Sequence, residues 1–465
     1  MGEPALPLDK FRSRLQRSVS LASLACLVGA STVGLWLAFV LLWPEAGGIM
    51  GPLTYGRWMP VHLDVQLFGW CSLPIVGVLM VRMLPPTRAW HTAARVALAV
   101  WLGALVAGPL DWLAGHTSGK LFLDWSGADD FAFAGAQLLL WVVLTAGWWA
   151  RRRLDRGRMA HRLADTGMLL FLAAVPFALH FSAQPSVYPP VNPDSGGATG
   201  HSLLASSLGV VGIALVLPSL FGRPARRRMV EESITISLIF AANWAVYLYI
   251  GHGNASNHDG EQIAGLGTLL VWPPLLVWWF RLFAWEASQR RWLVTTAVWC
   301  ALLVVDGWVL FLPGVLDRLK FTNAFVAHTH LAMAGLLTAL NMLVLVSLAP
   351  ASTLSRALNA RLPWLLWNAG AATMIGVLTW VGFGEAVDPL AIYDGAGAVT
   401  FGYTVRLLTG CVMLGAAVLW LRAAARPLSR RADLPLRHEP HSTSAPETAG
   451  QEPGPPGKHS SAHAL

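Results

Sequence analysis

Long apolar stretches alternate with short polar ones along almost the whole chain. An α-helix needs about 20 apolar residues to cross the hydrocarbon core of a bilayer, and each apolar run has about that length. The pattern therefore predicts an all-α polytopic membrane protein with about twelve transmembrane helices. The runs cover residues 21–43, 61–84, 94–113, 131–149, 165–183, 201–221, 233–251, 263–285, 292–313, 323–348, 363–384 and 400–424.

Polar segments precede and follow the apolar runs. Residues 1–20 carry four basic side chains, and the apolar run after them is too long for the core of a signal peptide. Beyond residue 425 the sequence is rich in Pro, Gly, Ser and His and cannot bury a core. We therefore expect a basic cytoplasmic N-terminal segment at 1–20, a twelve-helix membrane domain at 21–425, and a disordered cytoplasmic tail at 426–465.

Basic residues are concentrated in every second loop. The loops at 151–158 and 223–228 are rich in arginine, whereas those at 124–130, 186–197 and 385–397 are acidic or polar. The positive-inside rule places the arginine-rich loops and both termini in the cytoplasm. Topology thus accounts for the net charge of +8, and we expect the lipid bilayer, and no nucleic acid, as a partner.

Composition agrees with a membrane location, because 55% of the residues are hydrophobic and only 12% are charged. Soluble domains carry about 25% charged residues. The four cysteines form no CxxC pair, no zinc spacing and no CxxCH haem-attachment motif, so we interpret them as packing residues.

Histidines lie at the ends of several predicted spans. His328 and His330 open the tenth span, His62 the second and His201 the sixth, while His252 closes the seventh. The loop alternation places all these ends near the outer side of the membrane. Ionisable residues inside spans are costly and usually functional, and imidazole is a common axial ligand of haem iron. Buried histidines bonded to neighbouring helices remain the alternative. Positions two apart point to roughly opposite sides of a helix, so one span can hold a ligand on each flank.

This arrangement resembles the catalytic subunit I of the haem–copper oxidase superfamily, in its cbb-type cytochrome c oxidase and nitric oxide reductase branch. The resemblance covers roughly residues 20–425 and implies the same helical bundle in a bacterial inner (cytoplasmic) membrane. The similar stretches are YGRWMPVH ending at His62, TGHSLLASSLGVVGIAL with His201, AHTHLAMAG with His328 and His330, and YTVRLLTGCVMLGA with Arg406.

The resemblance implies a role for each of these positions. His62 and His330 correspond to the axial pair of a low-spin haem b, and His328 to the ligand of a high-spin haem. Arg406 corresponds to the arginine that binds a haem propionate. His201 corresponds to a ligand of a second metal, either copper or non-haem iron.

The seventh span departs from the family's pattern. Two adjacent histidines are typical there, whereas this chain reads YLYIGHGNASNHDG, which offers only His252. Asn254, His258 or water completes the ligand set, so we expect a second metal that is absent, weakly bound or not copper. Tyr247 and Tyr249 lie where cbb-type enzymes keep a redox tyrosine and are catalytic candidates, although interfacial tyrosines are common in membrane proteins.

The function that the resemblance implies is enzymatic, of the terminal oxidase or nitric oxide reductase type. Electrons pass from an outer-face donor through the low-spin haem to the high-spin haem, where dioxygen or nitric oxide is reduced. The chain has no site for a copper pair or a covalent haem, so we expect a cytochrome c or cupredoxin-type donor subunit. Two alternatives stay open: a non-catalytic haem electron-transfer or sensing subunit, and a twelve-helix secondary transporter.

Overall fold

The computed structural model describes residues 6–154, 159–187, 190, 203–221, 223–224, 229–252, 255–391 and 397–426. Within these residues the chain is almost entirely helical. The α-helices are α1 (Leu8–Leu42), α2 (Pro44–Ile49), α3 (Tyr55–Asp64), α4 (Leu73–Met83), α5 (Arg88–Ala114), α6 (Ala128–Leu154), α7 (Met159–Ala183), α8 (Leu203–Phe221), α9 (Val230–Tyr249), α10 (Gly260–Gly267), α11 (Trp272–Arg281), α12 (Ala287–Leu310), α13 (Leu316–Leu319), α14 (Asn323–His330), α15 (Thr338–Leu348), α16 (Thr353–Leu358), α17 (Arg361–Val387) and α18 (Gly397–Ala425).

Other regular elements are short. Two π-helical segments, π1 (Val65–Cys71) and π2 (Leu331–Leu337), interrupt the helices, and a 3₁₀ segment, Thr268–Val271, joins α10 to α11. The strands β1 (Arg223–Pro224) and β2 (Phe283–Ala284) pair antiparallel.

Eleven helices in the described part are long and apolar enough to cross a membrane, which confirms the prediction of an all-α polytopic membrane protein. Three of these spans are compound: α3–π1–α4, α10–α11 and α14–π2–α15. The predicted seventh span forms α9, which is not among the eleven. Its 20 residues include Glu231, Glu232 and Asn243, and these polar side chains lower its hydropathy.

The first helix begins earlier than the sequence pattern predicts. We expected the first span to begin at residue 21, but α1 already begins at Leu8. Phe11, Leu15 and Val19 repeat every four residues and are almost fully buried, so one face of the basic segment packs into the bundle. The predicted tail, beyond Arg426, lies outside the described residues.

The α14–π2–α15 span is the most deeply buried of the spans. Every residue of α15 is buried. The span packs against α1, α4, α12 and α17, so its histidines are presented from the middle of the bundle.

The two spans that carry the predicted haem ligands both contain a π-helical turn. A π turn inserts an extra residue into an α-helix and occurs frequently at functional sites. The hydroxyl of Ser72 donates to the carbonyl of Leu67 at 2.8 Å, and that of Thr338 to the carbonyl of Met333 at 2.9 Å. In both cases a hydroxyl bonds a carbonyl oxygen five residues earlier, beside the π turn. The apolar pattern gave no sign of these turns.

Candidate functional site

A cavity of about 1020 Å³ lies among α1, α3, α14, α17 and α18, at one end of the bundle. We call it cavity 1, and we call this end of the bundle the histidine end. His62 and His330 both line the cavity, together with Arg406 and many apolar side chains. Pockets of about 300–1,000 Å³ with a few convergent polar groups are typical of ligand and cofactor sites. The structure therefore brings together three of the residues predicted for the low-spin haem.

Each of these two imidazoles is anchored through Nδ1. The His62 Nδ1 lies 2.8 Å from the carbonyl oxygen of Ala30, and the His330 Nδ1 lies 2.8 Å from that of Val326. A carbonyl oxygen can only accept, so Nδ1 must be the protonated nitrogen of each ring. In a neutral imidazole the lone pair then resides on Nε2. A ring held in this way has its metal-binding nitrogen ready and its orientation fixed.

Close packing restricts the His62 ring further. Gly34 of α1 faces it so closely that a Cβ at this position would lie 2.5 Å from the ring's Cε1 and 2.8 Å from its Nδ1. Only glycine leaves room for the imidazole where it stands.

Arg406 brings a positive charge to cavity 1, and no described carboxylate lies close enough to form an ion pair with it. Its guanidinium makes one long contact, 3.5 Å from the Oδ1 of Asn323. Glu385 is close, but its carboxylate accepts from the Asn323 backbone N–H at 2.7 Å, from the Asn323 Nδ2 at 2.6 Å and from the Tyr403 hydroxyl at 3.2 Å. A partly buried cation without an ion-pair partner is costly. The arrangement therefore favours an anionic ligand group, such as a carboxylate, in cavity 1.

His328 lines a second cavity of about 400 Å³, which we call cavity 2. His330 lines cavity 1, so the two histidines of α14 face different cavities, as their spacing predicts. The Nδ1 of His328 lies 2.8 Å from the Oδ2 of Asp306 on α12. A carboxylate acceptor fixes the tautomer and the orientation of the ring. The side chain of Asp306 is 44% exposed and is not deeply buried.

The residues predicted for a second metal are not brought together in the described part of the chain. His201 and Asn254 lie outside it. His252 is exposed and does not line cavity 2, and its ring packs against Tyr247 at 4.7 Å between centroids. Tyr249 is 80% exposed. The described residues contain no group of three or more His, Cys, Asp or Glu side chains placed to hold a metal ion, so the second metal and the two tyrosine roles stay predictions.

Two other histidines pair with carboxylates near the ends of helices. His258 lies 2.9 Å from Asp317, which also accepts from Asn257 at 3.1 Å. Hydrogen bonds from Asn257 and from a backbone N–H lower the pKa of Asp317 to about 2. His180 pairs in the same way with Asp130. The described histidines at this end are thus of two kinds. Some line the cavities, and others pair with carboxylates at the surface.

A buried carboxyl group near His62 escaped the sequence analysis. Asp64 is fully buried, and one of its oxygens accepts from the backbone N–H of Asp124 at 3.3 Å. The Nε1 of Trp112 joins this group, because it donates to the Asp124 carbonyl at 2.9 Å and to Asp129 at 2.8 Å. Burial raises the pKa of Asp124, which lies in the loop between α5 and α6. The sequence did carry one sign of this group, because Asp64 is an acidic residue inside the apolar run at 61–84.

No family of known proteins has a model that matches this chain, and no curated protein matches its sequence. The interpretation of the two cavities therefore depends on their geometry and on the short motifs.

Proposed function

We propose that this protein is a dihaem membrane oxidoreductase subunit whose cavity 1 holds a low-spin haem b between His62 and His330. The observation that carries the proposal is the pair of rings that line one cavity, each with Nδ1 bound to a backbone carbonyl and Nε2 left for a metal. Haem supplies one-electron redox chemistry when it is bound. Arg406 would neutralise a haem propionate, since no carboxylate in the described residues forms an ion pair with it.

Cavity 2 supports a second site for a high-spin haem on His328. The cavity is lined largely by apolar side chains, and His328 is its only histidine among the described residues. A single axial ligand leaves one face of an iron open for a small oxidant. Asp306 keeps the ring proton on Nδ1, so Nε2 stays available as a ligand. On this basis the reaction is reduction of dioxygen or nitric oxide, of the terminal oxidase or nitric oxide reductase type.

The electron donor and the membrane location follow from the predicted topology. If the arginine-rich loops are cytoplasmic, the histidine end faces the outer side of a bacterial inner membrane and both termini lie in the cytoplasm. A cytochrome c or cupredoxin-type subunit at that face would deliver electrons first to the pair in cavity 1.

A second candidate is a haem subunit that transfers or senses electrons without reducing an oxidant. The position of His252 favours it, because this exposed side chain does not line cavity 2, where a second metal would act beside His328.

Spectroscopy of the purified full-length protein tests the proposal. Reduced-minus-oxidised spectra and haem analysis should give a bis-histidine low-spin haem and a second, high-spin haem. His62→Ala and His330→Ala should each remove the low-spin signal, and His328→Ala should remove only the high-spin one. His180→Ala is the matched control and should keep both signals. A wild-type protein without haem, or a normal low-spin signal in His62→Ala, would contradict the proposal.

A further inference from the structure

Trp70 joins the helix that carries His62 to the helix that carries His330. Its indole Nε1 donates to the hydroxyl of Thr338 at 3.0 Å, and its backbone carbonyl accepts from the Nδ2 of Asn341 at 3.1 Å. The three residues are only 1%, 1% and 2% exposed, respectively. Buried polar groups that lose their partners are costly, so this two-point link resists sliding of one helix along the other.

The link is attached at the two π-helical turns. Trp70 lies in π1, and Thr338 directly follows π2. The Thr338 hydroxyl accepts from Trp70 and donates to the carbonyl of Met333, so a single oxygen connects one π turn to the other. Because a π turn changes the rotation of the helix on either side of it, a link at the turns also fixes the direction in which the preceding side chains point.

The link has the same offset from each histidine. Trp70 follows His62 by eight residues, and Thr338 follows His330 by eight residues. In each span the eight residues include the π-helical turn, so the two segments have similar lengths. Both chain segments run from the histidine end into the bundle, so equal offsets place the two rings at similar depth. Two histidines that bind the same iron must lie at similar depth.

We propose that Trp70, Thr338 and Asn341 form a positioning clamp that sets the relative height and rotation of His62 and His330. None of the three is a ligand, and the clamp acts through the two helices. Its role rests on the proposed low-spin haem in cavity 1.

Substitutions of Thr338 test the clamp in the purified full-length protein. Thr338→Val keeps the shape but removes the hydroxyl, whereas Thr338→Ser restores it. The matched control is Thr295→Val, because Thr295 accepts from the Nε1 of Trp364 at the same 3.0 Å but lines neither cavity. The readouts are the electron paramagnetic resonance g-values of the low-spin haem, its midpoint potential and its retention during purification.

Thr338→Val should shift the g-values and lower haem retention, because the two helices lose the hydrogen bond that fixes their relative position. Thr338→Ser and Thr295→Val should resemble the wild type. Thr338 itself lines cavity 1, so Trp70→Phe provides a second variant, at a position that does not line it, and should shift the g-values in the same way. Wild-type g-values in Thr338→Val and Trp70→Phe would overturn the clamp and leave the proposed function intact. Absence of haem from the wild type would overturn both.

Discussion

Gly34→Ala should disturb the low-spin site without changing any ligand. The added Cβ would lie 2.5 Å from the Cε1 of His62 and 2.8 Å from its Nδ1. Carbon atoms in ordinary contact are about 3.5–4.0 Å apart, so the ring must move by about 1 Å. That movement conflicts with the 2.8 Å hydrogen bond that fixes Nδ1 to Ala30.

The size of the effect follows from the interactions that are lost. Overpacking of a well-packed site costs about 1–3 kcal/mol, and a lost hydrogen bond about 1 kcal/mol. The higher helix propensity of alanine offsets about 1 kcal/mol of this. We therefore expect Gly34→Ala to destabilise the fold by roughly 1–3 kcal/mol, and to weaken haem binding about 10–100-fold through the misaligned ligand.

Gly29→Ala is the matched control, since Gly29 lies on the same helix and a Cβ there would meet no atom within 4 Å. Haem content and low-spin spectra of the two purified variants, with thermal unfolding of each, measure the difference. Gly29→Ala should resemble the wild type. Wild-type haem content and spectra in Gly34→Ala would refute the inference that His62 is held in this orientation for a ligand.

Three further predictions concern other parts of the molecule. Asp306→Asn should raise the midpoint potential of the high-spin haem and weaken its retention about 10–100-fold, because the carboxylate on His328 Nδ1 is lost, and redox titration should show the low-spin haem unchanged. Hydrogen bonds lower the pKa of Asp317 to about 2, from an ordinary value of about 3.9. The ionised carboxylate should therefore stabilise the segments that it bonds fully at pH values above about 3.9. That stabilisation should be lost as the pH falls through about 2. Hydrogen exchange measured across that range checks this, and Asp317→Asn should abolish the pH dependence. In intact cells, an impermeant thiol reagent should label cysteines placed at 186–197 and should not label one at Arg226.

Much of the fold could be predicted because a membrane simplifies the problem. Lipid requires long apolar runs, and these are legible in a single sequence. The beginning of α1 was misplaced for the same reason. The basic side chains after Leu8 interrupt the apolar run, but a buried stripe of Phe11, Leu15 and Val19 continues the helix. The length of an apolar run indicates contact with lipid, whereas periodicity indicates packing against protein.

The candidate site was predictable only in part. The spacing of His328 and His330 predicts opposite flanks, and the two cavities agree with it. The acceptors at Nδ1 were not predictable, because Ala30 and Val326 contribute backbone carbonyls, which any residue has. The contact of Asp306 with His328 was not predictable either, because it depends on how α12 and α14 pack.

The two kinds of Nδ1 acceptor give a physical reason for assigning different roles to the two cavities. His62 and His330 are held by neutral carbonyl oxygens, whereas His328 is held by the carboxylate of Asp306. A charge-assisted hydrogen bond is stronger and gives the opposite nitrogen more electron density. Two rings held by neutral acceptors would suit a haem that only exchanges electrons. A single ring held by a carboxylate would suit a haem that must donate electron density to a small oxidant. The chain therefore differentiates its two proposed haems through the partners of the ligands as well as through their number.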